Sequence, residues 1–184
     1  MPERHRNTVT LVLGGARSGK SRYAEKIAAG ASAVTYIATA RAGDEEMAEK
    51  IARHRKERPA AWRTVEEQME LGRAVLENAR SSDLVVVDCL TMFAANLLEY
   101  AEGDAEATEK RVAELLNALD AAACPVVLVS NEVGCGVVPP YPLGRAFRDL
   151  LGEINQRVAA CADHVLMMVA GLPLVLKGSA EVPR

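Results

Sequence analysis

The segment spanning residues 8–21, TVTLVLGGARSGKS, constrains this chain more than any other. Residues 8–13 are β-branched and apolar, the composition of a buried strand. Gly14, Gly19, Lys20 and Ser21 then meet the spacing G-x-x-x-x-G-K-S/T of a phosphate-binding loop. The match sits between a strand and a helix, where its mechanism requires it. The glycines let the backbone curl so that several N–H groups face one anion. Lys20 can reach the β- and γ-phosphate oxygens, and the Ser21 hydroxyl can hold Mg²⁺. The helix expected over 19–29 points the positive end of its dipole at the phosphates. The loop as a whole, Gly14, Gly15, Ala16, Arg17, Ser18, Gly19, Lys20 and Ser21, is therefore the candidate nucleotide-phosphate site.

A chain of 184 residues is sized for one domain with one good core, so residues 1–184 are expected to form a single nucleotide-binding domain. A net charge of -3 argues against a nucleic-acid surface. The N-terminal stretch lacks a signal-peptide core, and the longest apolar run, 165–176, is broken by Gly171 and Pro173. The expectation is a cytoplasmic protein with no membrane span. Cys89, Cys124, Cys135 and Cys161 show no C-x-x-C spacing, so buried or idle thiols are expected rather than zinc or a redox dithiol.

Strands are expected over 33–39, 83–88, 125–130, 164–169 and 172–176, with a short extended piece at 62–66. Helices are expected over 43–57, 68–79, 90–100, 109–122 and 143–160. Residues 102–107 read as a surface loop or helix start, and 165–176 as core. Apolar strands alternating with helices imply a mostly parallel sheet covered on both faces, with right-handed crossovers. Ligands bind beyond the carboxyl ends of such strands. That edge gathers the loop at 14–21, Thr39, Asp88 and Asn131.

Asp88 ends the apolar run DLVVVD, where a carboxylate can hold a metal directly or through water. The alternative is a strand-end acid that caps the next helix. His54 lies on a helix with Asp44, Glu45 and Glu46 in its first turn and Lys50, Arg53, Arg55, Lys56 and Arg58 towards its end. That polarity suits the helix dipole. Nearby cations favour neutral imidazole, which can attack an α-phosphate to give a phosphoramidate. On the residues alone, a solvated basic face with an incidental histidine is the simpler reading. The loop at 131–139, NEVGCGVVP, reads either as a substrate lid or as a structural turn. His5 and His164 read as surface or strand-end residues.

The ordered segments GGARSGKSRYAE, YIATA, DEEMAEKIARHRKERPAAWRTVE, VVVDCLT and NEVGCGVVPPYPLGRAFRDLLGEINQRVAACAD resemble the bifunctional adenosylcobinamide kinase / adenosylcobinamide-phosphate guanylyltransferase family of cobalamin biosynthesis. The resemblance runs from about Val9 to Leu176. It implies an α/β phosphate-loop NTPase of the RecA-like branch. It implies phosphorylation of adenosylcobinamide with ATP or GTP, with Mg²⁺, and then GMP transfer from GTP through a histidine. It implies residues 14–21 as the phosphate loop, with Lys20 catalytic in the kinase step, and His54 as the guanylylated residue. Arg55, Lys56, Glu57, Arg58 and Glu66 would contact the guanine nucleotide. Ala38, Thr39 and Ala40 would line the site, and Ser21 and Asp88 would flank the metal. Some relatives carry a second histidine where Arg53 stands here, so His54 is the only candidate in this segment. A homotrimer is implied as well. A kinase lacking the nucleotidyl step is the alternative. A GTP-dependent switch is disfavoured because the chain has no N-K-x-D motif: Asn131 is followed by Glu132.

Overall fold

The computed structural model describes residues 7–41, 43, 45–100 and 104–179. The elements run β1 (Val9–Gly14), α1 (Lys20–Ala28), β2 (Val34–Ala38), α2 (Glu45–Glu57), β3 (Arg63–Glu66), α3 (Leu71–Ala79), β4 (Leu84–Asp88), α4 (Leu90–Tyr100), α5 (Ala105–Ala121), β5 (Val126–Val129), α6 (Pro142–Cys161), β6 (His164–Val169) and β7 (Leu172–Lys177). The strands form one seven-stranded sheet in the order β3-β2-β4-β5-β1-β6-β7. Every pairing is parallel except β6 with β7. The short extended piece at 62–66 is thus a true edge strand.

Alternate residues of the central strands enter different cores, as the period of two demands. Val9, Leu11, Leu13, Val85, Val87, Val126 and Leu128 pack with α3, α4, α5 and α6 on one face. Val12, Val34, Tyr36, Val86, Val127 and Val129 pack with α1 on the other, where Trp62 adds a partly buried ring. Burial on both faces explains why these strands read as continuous apolar runs.

Two expectations need correction. α5 starts at Ala105, four residues ahead of the expected 109, because Asp104 caps it. Asp104 Oδ1 accepts from Glu106 N at 2.9 Å and Ala107 N at 3.1 Å, satisfying amides that open a helix. The run at 165–176 is not uniformly core. Val165, Leu166 and Met168 are buried, whereas Leu172, Leu174, Val175 and Leu176 are exposed. β7 is the antiparallel edge strand and pairs only with β6. Lys177 anchors its end, donating to the carbonyls of Ala159 and Ala160 at 3.1 and 2.9 Å where α6 terminates.

Candidate active site

Parallel pairing places the strand ends in register. Glu66 lies opposite Ala38, Ala38 opposite Asp88, Asp88 opposite Val129, and Val129 opposite Val12. One row thus crosses the sheet from the β3 edge to the strand feeding the phosphate loop. At about 4.8 Å per strand, Glu66 stands roughly 19 Å from the β1 row and Asp88 roughly 10 Å from it.

At the β1 end, residues 14–19 turn the chain from strand to helix. Gly19 is in the left-handed region at φ 95°, and it precedes α1 without any side-chain cap. No side chain of Gly19 thus competes with an anion for the amides that open α1. A Cβ on Gly14 would stand 2.7 Å from the Met168 carbonyl, so that position requires glycine for space. Arg17, at φ 57°, completes the curl. Lys20 is 8% exposed. Its ammonium donates to the Gly15 carbonyl at 2.6 Å, folded over the loop's interior. The buried Ser18 hydroxyl has no hydrogen-bond partner among the described residues. A curled loop holding a buried lysine and a buried orphan hydroxyl has the chemistry of a phosphate cradle.

Sequence reasoning missed the brace on this loop. β6 and β7 are joined by Ala170 and Gly171, both at positive φ, 52° and 83°. Such a two-residue turn matches the twist of the strands. Gly171 N donates to Ser18 O at 3.0 Å, and Glu132 N donates to Gly14 O at 3.1 Å. The signal was the Ala-Gly pair between two apolar runs, which the core reading of 165–176 passed over.

At the centre of the row, Asp88 Oδ2 accepts from the Tyr36 hydroxyl at 2.6 Å. Asp88 is the last residue of β4. Thr39 is fully buried. Its hydroxyl accepts from Cys89 N at 2.7 Å and donates to Cys89 O at 2.6 Å. The Thr39 side chain therefore supports the turn after Asp88 instead of lining an open surface. Ala38 is buried too, and of the three only Ala40 is partly exposed. Asn96 clamps this turn by donating to Thr39 O at 3.0 Å and Gln68 O at 3.2 Å. Burial pushes the Cys89 and Cys124 thiols up to about 11, so both stay protonated at neutral pH and fit the idle reading.

The Asn131 end is equally fixed. Asn131 N donates to Thr91 Oγ1 at 2.9 Å, and Asn155 Nδ2 donates to Asn131 O at 3.0 Å. The base of the 131–139 loop is therefore pinned, and freedom to move is left to 134–138, where Val137 is 96% exposed.

At the β3 end lies the charged segment. Arg55 and Glu66 approach at 3.8 Å, both side chains more than half exposed. The Arg58 guanidinium carbon sits 3.6 Å from the Tyr36 ring centroid. Trp62 stacks on that ring at 6.4 Å and 27°. Lys56 is exposed. The backbone of residue 54 is within α2, three residues before its end. The side chains of His54, Glu57, Arg53 and Met47 lie outside the described residues, as does His5. His164 starts β6, and its Nδ1 accepts from Ser179 N at 3.0 Å, as a strand-end residue.

Among the described residues, no group of three or more His, Cys, Asp or Glu could hold a metal alone. One hydroxyl and one carboxylate, Ser21 and Asp88, instead suit Mg²⁺ shared with phosphates and water. Asp88 Oδ1 has no hydrogen-bond partner among the described residues, and so retains a hard oxygen donor. No helix among the described residues is long and apolar enough to cross a membrane.

Residues 10–176 match the family model described as cobinamide kinase / cobinamide phosphate guanyltransferase. The chain is 46% identical over 174 residues to the bifunctional adenosylcobalamin biosynthesis protein CobP of Pseudomonas aeruginosa, covering 91% of this chain and 96% of that one. It is 43% identical over 178 residues to the protein CobU of Escherichia coli and, equally, to that of Salmonella typhimurium, covering 91% of this chain and 98% of each. In fold it is similar to an ATPase of the type III secretion system of pathogenic bacteria, with a TM-score of 0.58 at 12% identity over 87% of this chain and 50% of that one. It is also similar to a KaiC-like protein of Pyrococcus horikoshii, with a TM-score of 0.50 at 13% identity over 94% and 80% of the two chains. These two likenesses bear out the RecA-like phosphate-loop fold.

Proposed function

The chain belongs to the cobinamide kinase / cobinamide phosphate guanyltransferase family, and on that premise we propose that one domain, residues 1–184, carries out both reactions. In the first, the aminopropanol hydroxyl of adenosylcobinamide attacks the γ-phosphorus of ATP or GTP. A new O–P bond forms, the bridging β–γ P–O bond breaks, and the hydroxyl proton leaves to solvent. The loop amides and Lys20 stabilise the charge that gathers on the β- and γ-oxygens. Mg²⁺, when held by Ser21 and Asp88, would neutralise charge on the same oxygens.

In the second reaction a ring nitrogen of His54 attacks the α-phosphorus of GTP. An N–P bond forms, the α–β bridging P–O bond breaks, and pyrophosphate leaves. The terminal phosphate of adenosylcobinamide phosphate then displaces the histidine, giving adenosylcobinamide-GDP and restoring neutral imidazole. Arg55, Lys56, Glu57, Arg58 and Glu66 would contact the guanine nucleotide, the three cations through its phosphates.

The observation that carries this reading is the placement of a buried phosphate cradle and a cationic helix end along one sheet edge, in a chain 46% identical to a bifunctional relative. Its test uses two radiolabels. γ-Labelled ATP should mark adenosylcobinamide, and α-labelled GTP should mark the protein. Product labelling without protein labelling would favour a kinase that lacks the nucleotidyl step.

A homotrimer, in the cytoplasm, completes the proposal. The exposed apolar side chains of β7 support assembly, since a neighbouring subunit would bury them. Light scattering at micromolar concentration should report about three chains, and a fully active monomer would refute it.

A further inference from the structure

Neither reaction uses the phenol of Tyr36, yet it is buried beside the row of strand ends. Tyr36 is 1% exposed. A buried hydroxyl costs free energy unless it is hydrogen-bonded, so phenylalanine would fill this place more simply. Register explains its partner. Tyr36 lies opposite Val86, and Ala38 lies opposite Asp88. Tyr36 and Asp88 thus share one face of the sheet, one two-residue step apart on adjacent strands, within reach of a tyrosine. The hydroxyl donates to Asp88 Oδ2 at 2.6 Å and is the only hydrogen-bond partner of that carboxylate among the described residues. It fixes the rotation of the carboxylate and occupies one oxygen, leaving Oδ1 as the donor. Arg58 and Trp62 hold the ring from outside. The side chain therefore also ties the segment following α2 to the end of β4.

We propose that Tyr36 is a positioning residue. It holds the Asp88 carboxylate in the orientation in which Oδ1 binds a divalent cation together with a nucleotide on the phosphate loop. The proposal rests on Asp88 being a metal-binding acid, and the experiment separates the two.

Calorimetric titration of ADP into the full-length protein, with Mn²⁺ and again with EDTA, gives the metal-dependent gain in ADP affinity as a ratio. Tyr36→Phe keeps the ring and its packing and removes only the hydroxyl. It should lower that ratio about tenfold, the usual effect of losing a group that orients a metal ligand. ADP affinity in EDTA should change less than about twofold, because the loop amides are untouched. Thr35→Val is the structural control. It removes the 2.8 Å hydrogen bond between the Thr35 and Ser82 hydroxyls, one residue away on the opposite face, and should leave the ratio unchanged. The proposal is overturned if Tyr36→Phe leaves the ratio intact, or if Thr35→Val lowers it equally. Asp88→Asn should abolish the gain. If it does while Tyr36→Phe has no effect, the metal role of Asp88 stands and that of Tyr36 falls. If Asp88→Asn keeps the full gain, both fall together.

Discussion

The two ends of the strand row are built on opposite principles. At the β1 end the candidate binding groups are backbone amides, set by glycine conformations at 14 and 19 and braced by Gly171 and Glu132. Gly14 and Lys20 are buried there, while Ala16 and Arg17 at the loop's crest are exposed. At the β3 end the candidate groups are long charged side chains on α2 and β3, and the Arg55–Glu66 pair is mostly in water. The ends lie roughly 19 Å apart. A site made of backbone can be specified by a short local motif and is rigid before ligand arrives. A site made of exposed side chains is specified only in relation to a substrate, and contributes little to holding the fold.

The first way to break this contrast is Lys20→Ala. Its ammonium lies over the loop's interior, so phosphorylation of adenosylcobinamide should fall by at least about 100-fold. Circular dichroism and melting should show a folded protein. A near-normal rate would remove the phosphate loop from the kinase reaction. Next is Gly14→Ala, which adds a Cβ 2.7 Å from the Met168 carbonyl. It should cost about 1–3 kcal/mol in a denaturant melt and weaken ADP binding with it. A silent substitution would mean that the loop is not backbone-constrained.

Arg55→Ala should do the reverse. Stability should change by less than about 0.5 kcal/mol, because exposed ion pairs contribute little. KM for GTP in protein labelling should rise about tenfold, as for a lost charge-assisted contact. A loss of stability with unchanged KM would erase the distinction between the two ends.

The smallest effect is expected far from both. Arg157 binds Glu109 through two hydrogen bonds, at 2.6 and 2.8 Å, which hold the Glu109 carboxyl below its ordinary 4.5. A depressed carboxyl adds stability above its unfolded value and loses it as pH falls through its folded one. Arg157→Ala should therefore lower the melting temperature slightly at pH 7, with the gap closing in acid below that range. Both activities should be unaffected. A gap that widens in acid would contradict this sign.

The same contrast decided what could be read from the sequence. The phosphate loop was legible because glycine, lysine and serine at fixed spacing leave few alternatives. The buried strands were legible because apolar runs alternate with helices. The β7 edge was not, because LPLVLK has the composition of a buried strand and nothing local says that its neighbour is missing. The early start of α5 was signalled by Asp104, obscured by the acidic residues around it. The Tyr36–Asp88 bond had a signal too: a tyrosine in a buried strand needs a hydroxyl partner, and the adjacent strand ends in an acid. Finding it required knowing that β2 pairs with β4, which is long-range information. The role proposed for His54 came from the family resemblance, since neighbouring charges alone left it no different from a solvated helix face.

The most direct test of two separable stations on one sheet edge is the fate of label from α-labelled GTP in His54→Asn, followed by denaturing electrophoresis. Wild-type protein should carry a label lost in acid and kept in alkali, because protonating a phosphoramidate nitrogen makes it a good leaving group. His54→Asn should carry none and lose guanylyl transfer, while still phosphorylating adenosylcobinamide through Gly14, Lys20 and Asp88. Undiminished labelling of the variant, or a label that survives acid but not alkali, would contradict it.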